Sequence, residues 1–205
     1  MQKNAHWSAG VAITIAATQP SSIKGLAICV TAATIGSLIS DIDVTTSESH
    51  KDLSKILAIS TLVIFLCAIL EATLHVGIYN YILNQTNLSR ILIGLLSFLL
   101  VCSYGMHTSH RTFMHSIPAI VILSTTIYIA LPSAVIPFVI AMISHIFLDV
   151  FNRRKIQILY PLKKPKIALK LCPSDGKANK MIFKISSFVI AAELGIFIAM
   201  VYIVR

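Results

Sequence analysis

The chain has 205 residues, 56% of them hydrophobic and only 12% charged, with a mean hydropathy of +0.83. A soluble domain carries about 25% charged residues, so this balance excludes a water-soluble globule and indicates one polytopic membrane domain spanning 1–205. The formal net charge of +9 is concentrated in 153–184, from Arg153-Arg154-Lys155 to Lys184, where the only acid is Asp175.

Apolar runs of roughly 17–25 residues, the length that crosses about 30 Å of hydrocarbon, set out an all-α bundle of six to seven transmembrane helices. The first helix covers about 6–19 and is short for a crossing, so it is half-inserted or packed inside the bundle. Lys3 alone makes a weak start for a signal peptide. Gln19-Pro20-Ser21-Ser22 breaks the chain, and a second helix runs about 23–40 to Asp41-Ile42-Asp43. After a polar loop, 41–52, a third helix starts near Leu53 and is expected to continue to Leu83. A fourth spans about 88–106, a fifth 113–131 and a sixth 134–151. The basic loop 152–181, with Pro161, Pro165 and Pro173, is expected to hold little long helix. A seventh helix covers 182–204. The four cysteines, Cys29, Cys67, Cys102 and Cys172, share no C-x-x-C spacing and imply neither a disulfide framework nor a zinc ribbon.

A basic segment of this kind can serve nucleic acid. Its apolar flanks favour a positive-inside loop over 153–184 that touches anionic lipid. With that loop cytoplasmic, the sixth helix ends and the fifth begins on the cytoplasmic face. Counting back, the second helix ends there too. Charge alone thus gathers Asp41 and Asp43, His110 and His115, and His145 and Asp149 on one face of a bacterial-type inner membrane, and His6 joins them if the first two helices form a hairpin.

Ionisable groups inside or beside a bilayer are costly and point to function. His145 and Asp149 are four apart and project from one helix face. Asp41-x-Asp43 presents two carboxylates at a helix end, while His110 and His115 bracket a loop-to-helix junction. Mixed His and Asp ligation suits Zn best, with Mn or Fe next, rather than Ca. Arg111, between the two histidines, is a fork for a phosphate or a positive-inside anchor. Glu71 and His75, also four apart, form a structural pair or a proton relay. His50 is a further candidate ligand in the polar loop, and His107 is a solvated turn residue.

In their order these motifs resemble the membrane-bound metal-dependent hydrolases of the YdjM type, also described as LexA-binding inner-membrane proteins. The similarity rests on Ala5-His6-Trp7-Ser8-Ala9-Gly10, Leu38-Ile39-Ser40-Asp41-Ile42-Asp43, His110-Arg111-Thr112-Phe113-Met114-His115-Ser116, and Ser144-His145-Ile146-Phe147-Leu148-Asp149 through Tyr160-Pro161. It covers about 1–162. Ser40 stands where the family pattern has Pro, Thr112 and Met114 where it has Gly and Thr, Asn152 where Thr is common, and Lys155 where Gly is expected.

The resemblance implies that His6, Asp41, Asp43, His110, His115, His145 and Asp149 hold one or two divalent ions. Activated water would then attack a phosphoester or ester of a lipid or lipid-linked substrate at the cytoplasmic face. In that expectation Asp43 is the base, Arg111 neutralises the phosphate beside Asn152, and Ser109 and Ser116 orient ligands from behind. Two alternatives stay open: a metal-binding membrane protein that recruits a partner, and an ion transporter that uses Glu71 and His75. The oligomeric state is not encoded in any of these features.

Overall fold

Apolar runs interrupted by Ser, Pro, Asn and Gly become helices with local start signals. A computed structural model of the chain describes residues 3–162, 164–171 and 176–202; Lys163, Cys172 and Asp175 lie outside the described residues. Eight α-helices are found among them: α1 Lys3–Thr18, α2 Ile23–Ile39, α3 Glu48–Leu74, α4 Ile78–Asn84, α5 Thr86–Met106, α6 Ile117–Ala130, α7 Val135–Val150 and α8 Lys177–Tyr202. Ser22, Ser47 and Ser116 cap α2, α3 and α6, their hydroxyls accepting from the amides of Gly25, His50 and Ala119. Each supplies a bond that a first turn cannot make for itself. The described residues contain no β-strand, only an isolated antiparallel bridge between Ile156 and Ile167.

Five segments are long and apolar enough to cross a membrane: Ile23–Asp43, Glu48–Leu74, Thr86–Met106, Pro132–Val150 and Lys177–Val201, with Ile117–Ala130 shorter. The 16 residues of α1 reach only about 24 Å. This helix packs against α2, α7 and α8 and buries Ala5, His6, Ser8 to Ala12, Thr14 and Ile15. The short first helix packs inside the bundle, as one of the two expectations has it.

Small residues let these backbones approach, as they do between helices in lipid. A Cβ on Gly36 of α2 would strike the Phe138 carbonyl oxygen of α7, and one on Gly10 of α1 would sit 2.6 Å from Ser37 Cβ of α2. The tight α1–α2–α7 layer that results carries His6, Asp41, His145 and Asp149 on its ends.

Two element boundaries differ from expectation. The third helix does not run to Leu83: it stops at Leu74, and α4 starts at Ile78. His75 and Gly77 both have left-handed backbones, at φ 47° and 84°, and the Glu71 carboxylate accepts from the Ile78 amide at 2.8 Å. Glu71 therefore caps a helix. The break follows 27 helical residues, about 40 Å of helix, more than the roughly 30 Å of a hydrocarbon core. Downstream, α8 begins at Lys177 rather than 182.

The basic segment is folded back on the bundle. Ile156 and Ile167 exchange backbone bonds of 2.8 and 2.9 Å, the Leu169 amide donates to the Val150 carbonyl at 2.7 Å, and the Ile117 amide donates to the Ile158 carbonyl at 3.0 Å. A hairpin thus joins the end of α7 to the start of α6.

Candidate metal centre

Four separate segments bring the candidate ligand residues together. His6 comes from the second turn of α1, and His145 and Asp149 from one face of α7. Asp41 and Asp43 come from a 3-10 turn, Ser40–Asp43, and His115 from another, Phe113–His115. The Asp turn is braced from the start of α3: Ser47 Oγ donates to the Asp41 carbonyl at 2.7 Å, and His50 Nδ1 donates to the Ile42 carbonyl at 2.6 Å. His50 therefore shapes the turn that carries the carboxylates. His107 bonds back to the Ser103 carbonyl at 2.7 Å and lies exposed in its turn.

The side chains form two groups, His6 with His145 and Asp149, and Asp41 with His110 and His115, whose potential ligand atoms lie within 4.8 Å of one another in each group. Ligand atoms around a tetrahedral ion stand about 3.4 Å apart, so each group would have to draw in by up to about 1.4 Å to close on an ion. The groups adjoin. His6 and His145 stack at 3.9 Å, the His115 and His145 rings are 5.4 Å apart, and His145 Nε2 lies 3.7 Å from Asp41 Oδ1.

Burial makes this arrangement demanding. His6, His115, His145 and Asp149 are at most 1% exposed. His145 Nδ1 donates to the Ser37 carbonyl at 2.6 Å, so its Nε2 carries the lone pair and faces the cluster. His6 Nδ1 is buried without a hydrogen-bond partner, and His145 Nε2 and both nitrogens of His115 are buried facing carboxylates 3.4 to 3.7 Å away without well-formed hydrogen bonds. Buried polar nitrogens are nearly always satisfied. A neutral imidazole fixed on one nitrogen by a backbone carbonyl, as His145 is, suits metal ligation, and nitrogen with carboxylate oxygen is a donor set suited to Zn, Mn or Fe.

Asp43 belongs to neither group of three. Its Oδ1 accepts from His110 Nδ1 at 2.8 Å, its Oδ2 accepts from the Arg111 amide at 3.1 Å, and His115 Nδ1 is 3.7 Å from Oδ2. Asp43 thus meets the cluster through His110 and His115. Arg111, at φ 65°, is 6% exposed. Its Nη2 pairs with Asp149 Oδ2 at 2.9 Å and its Nη1 donates to the Arg154 carbonyl. The guanidinium clasps site and hairpin together.

His115 sits 3.4 Å from Asp149 Oδ2 and 3.7 Å from Asp43 Oδ2. Burial opposes charge on its ring, yet the Asp149 and Asp43 carboxylates outweigh it and raise the pKa to about 9.

The model of the YdjM inner membrane protein family matches residues 1–205. The chain belongs to that family. As a YdjM-family protein it is a membrane protein, and the match runs past the motifs, which end near Pro161, to include α8. No curated protein and no solved structure matches the chain.

The remaining expected site residues make backbone bonds around the cluster. Ser116 Oγ donates to the Phe113 carbonyl at 2.7 Å and caps α6, which fixes the turn bearing His115. Ser109 is exposed, and its carbonyl accepts from the Thr112 amide at 3.2 Å. Asn152 is buried and its Oδ1 accepts from the Arg153 amide at 2.7 Å. Met114, where the family pattern has Thr, is fully buried against Gly105, whose missing Cβ makes its space.

Above the cluster opens a cleft of about 560 Å³, lined among others by Asp41, His110, Arg111 and Asp149 and by Lys3, Glu48 and Arg154. Lys3 and Glu48 pair across it at 2.7 Å. Lys3, Arg154 and the Ser37 carbonyl did not emerge from the sequence. Position four residues before Asp41 marks Ser37 as sharing its helix face, but nothing in a side chain announces a backbone acceptor.

Proposed function

We propose that this protein is a membrane-bound metal-dependent hydrolase acting on a phosphoester or ester of a lipid or lipid-linked substrate. The observation that carries this reading is the convergence of His6, Asp41, His110, His115, His145 and Asp149 beneath the cleft, with buried imidazole nitrogens facing the carboxylates of Asp41, Asp43 and Asp149. One or two divalent ions, Zn first and Mn or Fe next, fit this donor set. A bound ion supplies Lewis acidity and an activated water.

The protein's own groups do the rest. Ser37 fixes the His145 tautomer, and Arg111 holds Asp149 and offsets its charge. His110, partly exposed in the cleft, donates from Nδ1 to Asp43, so its Nε2 lone pair, left out of the ion's ligands in this reading, can accept a proton from the water side and return it to the leaving oxygen. In this reading Asp43 is the base acting through His110. Lys3 and Arg154 at the rim balance an anionic headgroup. The site sits at the end of the membrane-crossing segments, which suits a substrate whose apolar part stays in the bilayer. The basic hairpin favours placing it on the cytoplasmic side.

The transporter alternative loses its motivation, because Glu71 caps Ile78 and His75 ends α3 in an exposed turn. The test is to incubate the metal-loaded full chain in mixed micelles with a panel of lipid phosphomonoesters, phosphodiesters and carboxylic esters. Release of headgroup or phosphate by the wild type, absent in Asp41→Ala, supports the reading. No turnover on any class by protein shown to hold metal would overturn it.

A further inference from the structure

Between residues 150 and 171 the sequence holds seven Lys and Arg and no Asp or Glu. The described cations there, Arg153, Arg154, Lys155, Lys164, Lys166 and Lys170, are all exposed. The hairpin does not hang free. The 2.8 and 2.9 Å bridge at Ile156 and Ile167 closes it, and Ile156 is fully buried beneath. Lys155, Lys164 and Lys166 line a groove of about 900 Å³ on its surface, with Gln157 and Pro165. Among these cations stand exposed aliphatic side chains, with Leu162 61%, Leu169 52% and Leu171 68% exposed. The hairpin begins where α7 leaves the apolar layer and leads into α8, so it lies at the membrane surface.

Cations interleaved with exposed leucines match an interface of phosphate headgroups over acyl chains. Nucleic acid would instead call for exposed aromatic or amide side chains to stack on or read bases. The one aromatic in the hairpin, Tyr160, is half-buried and its hydroxyl bonds Tyr104 at 2.9 Å.

The hairpin is also tied to the histidine cluster through Arg111. The Gln157 amide donates to the Arg111 carbonyl at 2.9 Å, and Arg111 Nη1 donates to the Arg154 carbonyl. The same Arg111 pairs with Asp149 and, through its amide, with Asp43. Any shift of the hairpin toward lipid therefore pulls on the residue that holds both carboxylates.

We propose that the hairpin 152–171 is a docking surface for anionic lipid headgroups, and that its engagement orders the Arg111 turn. The inference does not depend on the cluster being a hydrolase. Each surface Lys contributes about fivefold to binding of an anionic bilayer, so Lys155, Lys164 and Lys166 together account for about a hundredfold.

Backbone hydrogen exchange tests this on the full chain in nanodiscs of phosphatidylcholine, with and without phosphatidylglycerol as about one lipid in three. The expected result is that exchange in 152–171 and in 109–116 slows at least ~10-fold with phosphatidylglycerol. The triple variant Lys155→Gln, Lys164→Gln, Lys166→Gln should lose that difference while α2 and α7 exchange as before. Equal exchange in the two bilayers, or an effect that survives the triple variant, would overturn the docking surface. So would matching protection in phosphatidylcholine alone on adding inorganic phosphate or an oligonucleotide. Slowing in 152–171 with no change in 109–116 would overturn the link through Arg111.

Discussion

His145 Nδ1 lies 2.6 Å from the carbonyl oxygen of Ser37, on a neighbouring helix 108 residues away in sequence. That bond fixes which nitrogen of the imidazole is protonated and turns the other toward Asp41. It forms because α2 and α7 touch at Gly36 and Phe138, so helix packing and ligand geometry are one feature.

Replacing Gly36 with Val puts a branched side chain where even a Cβ would meet the Phe138 carbonyl. Overpacking of this kind costs about 1–3 kcal/mol and here also moves Ser37 away from His145. Thermal unfolding in detergent should shift down, and metal content should fall with it. Unchanged metal content in a destabilised variant would separate packing from site geometry.

Asp43→Asn keeps the shape of the side chain while replacing one acceptor oxygen by a donor. His110 Nδ1 then lacks its charged acceptor and the tautomer changes. Turnover should fall about 10²–10⁴-fold, the span of general acid–base catalysis. Metal affinity should fall less, by about 10–100-fold, as when a ligand loses its orienting partner. Parallel rate and metal titrations read the two effects apart.

The raised pKa of His115, about 9, sets a pH dependence. The neighbouring carboxylates favour a proton on this ring at neutral pH, so an ion bound there would have to displace it. Metal affinity should therefore rise as pH goes from 7 to 9, by up to about tenfold per unit for the one proton released. Stability of the metal-free protein should run the other way. The His115 contribution is fully present below the unfolded value of 6.5 and is lost as pH rises through 9. Zinc titrations and unfolding at stepped pH check both signs.

Arg111→Ala leaves Asp149 buried without the guanidinium that pairs with it at 2.9 Å. Breaking a buried pair from one side costs about 3–5 kcal/mol, so the metal-free variant should be strongly destabilised. Bound metal should recover part of that loss, because an ion also offsets the carboxylate. Chemical denaturation with and without zinc measures the difference.

Much of the site is legible from the chain because ligands at i and i+4 and motifs at helix ends obey simple geometry. Loop charge then fixes which helix ends share a face. His6, Asp41, His115, His145 and Asp149 meet as that counting requires. The roles that depend on backbone are not legible. Ser37 acts through its carbonyl, Arg111 through a clasp to the Arg154 carbonyl, and His50 by bracing Ile42. The break at His75–Gly77 escapes too, since an apolar helix in lipid has no periodicity to lose when it stops. The hairpin is hidden because one pair, Ile156 with Ile167, closes it across intervening prolines.

Elemental analysis of the detergent-purified full chain, beside the Asp41→Ala/His115→Ala double variant, tests the metal centre most directly. The account predicts stoichiometric zinc, manganese or iron in the wild type, lost in the double variant. No metal in the wild type after reloading, or equal metal in both proteins, would contradict it.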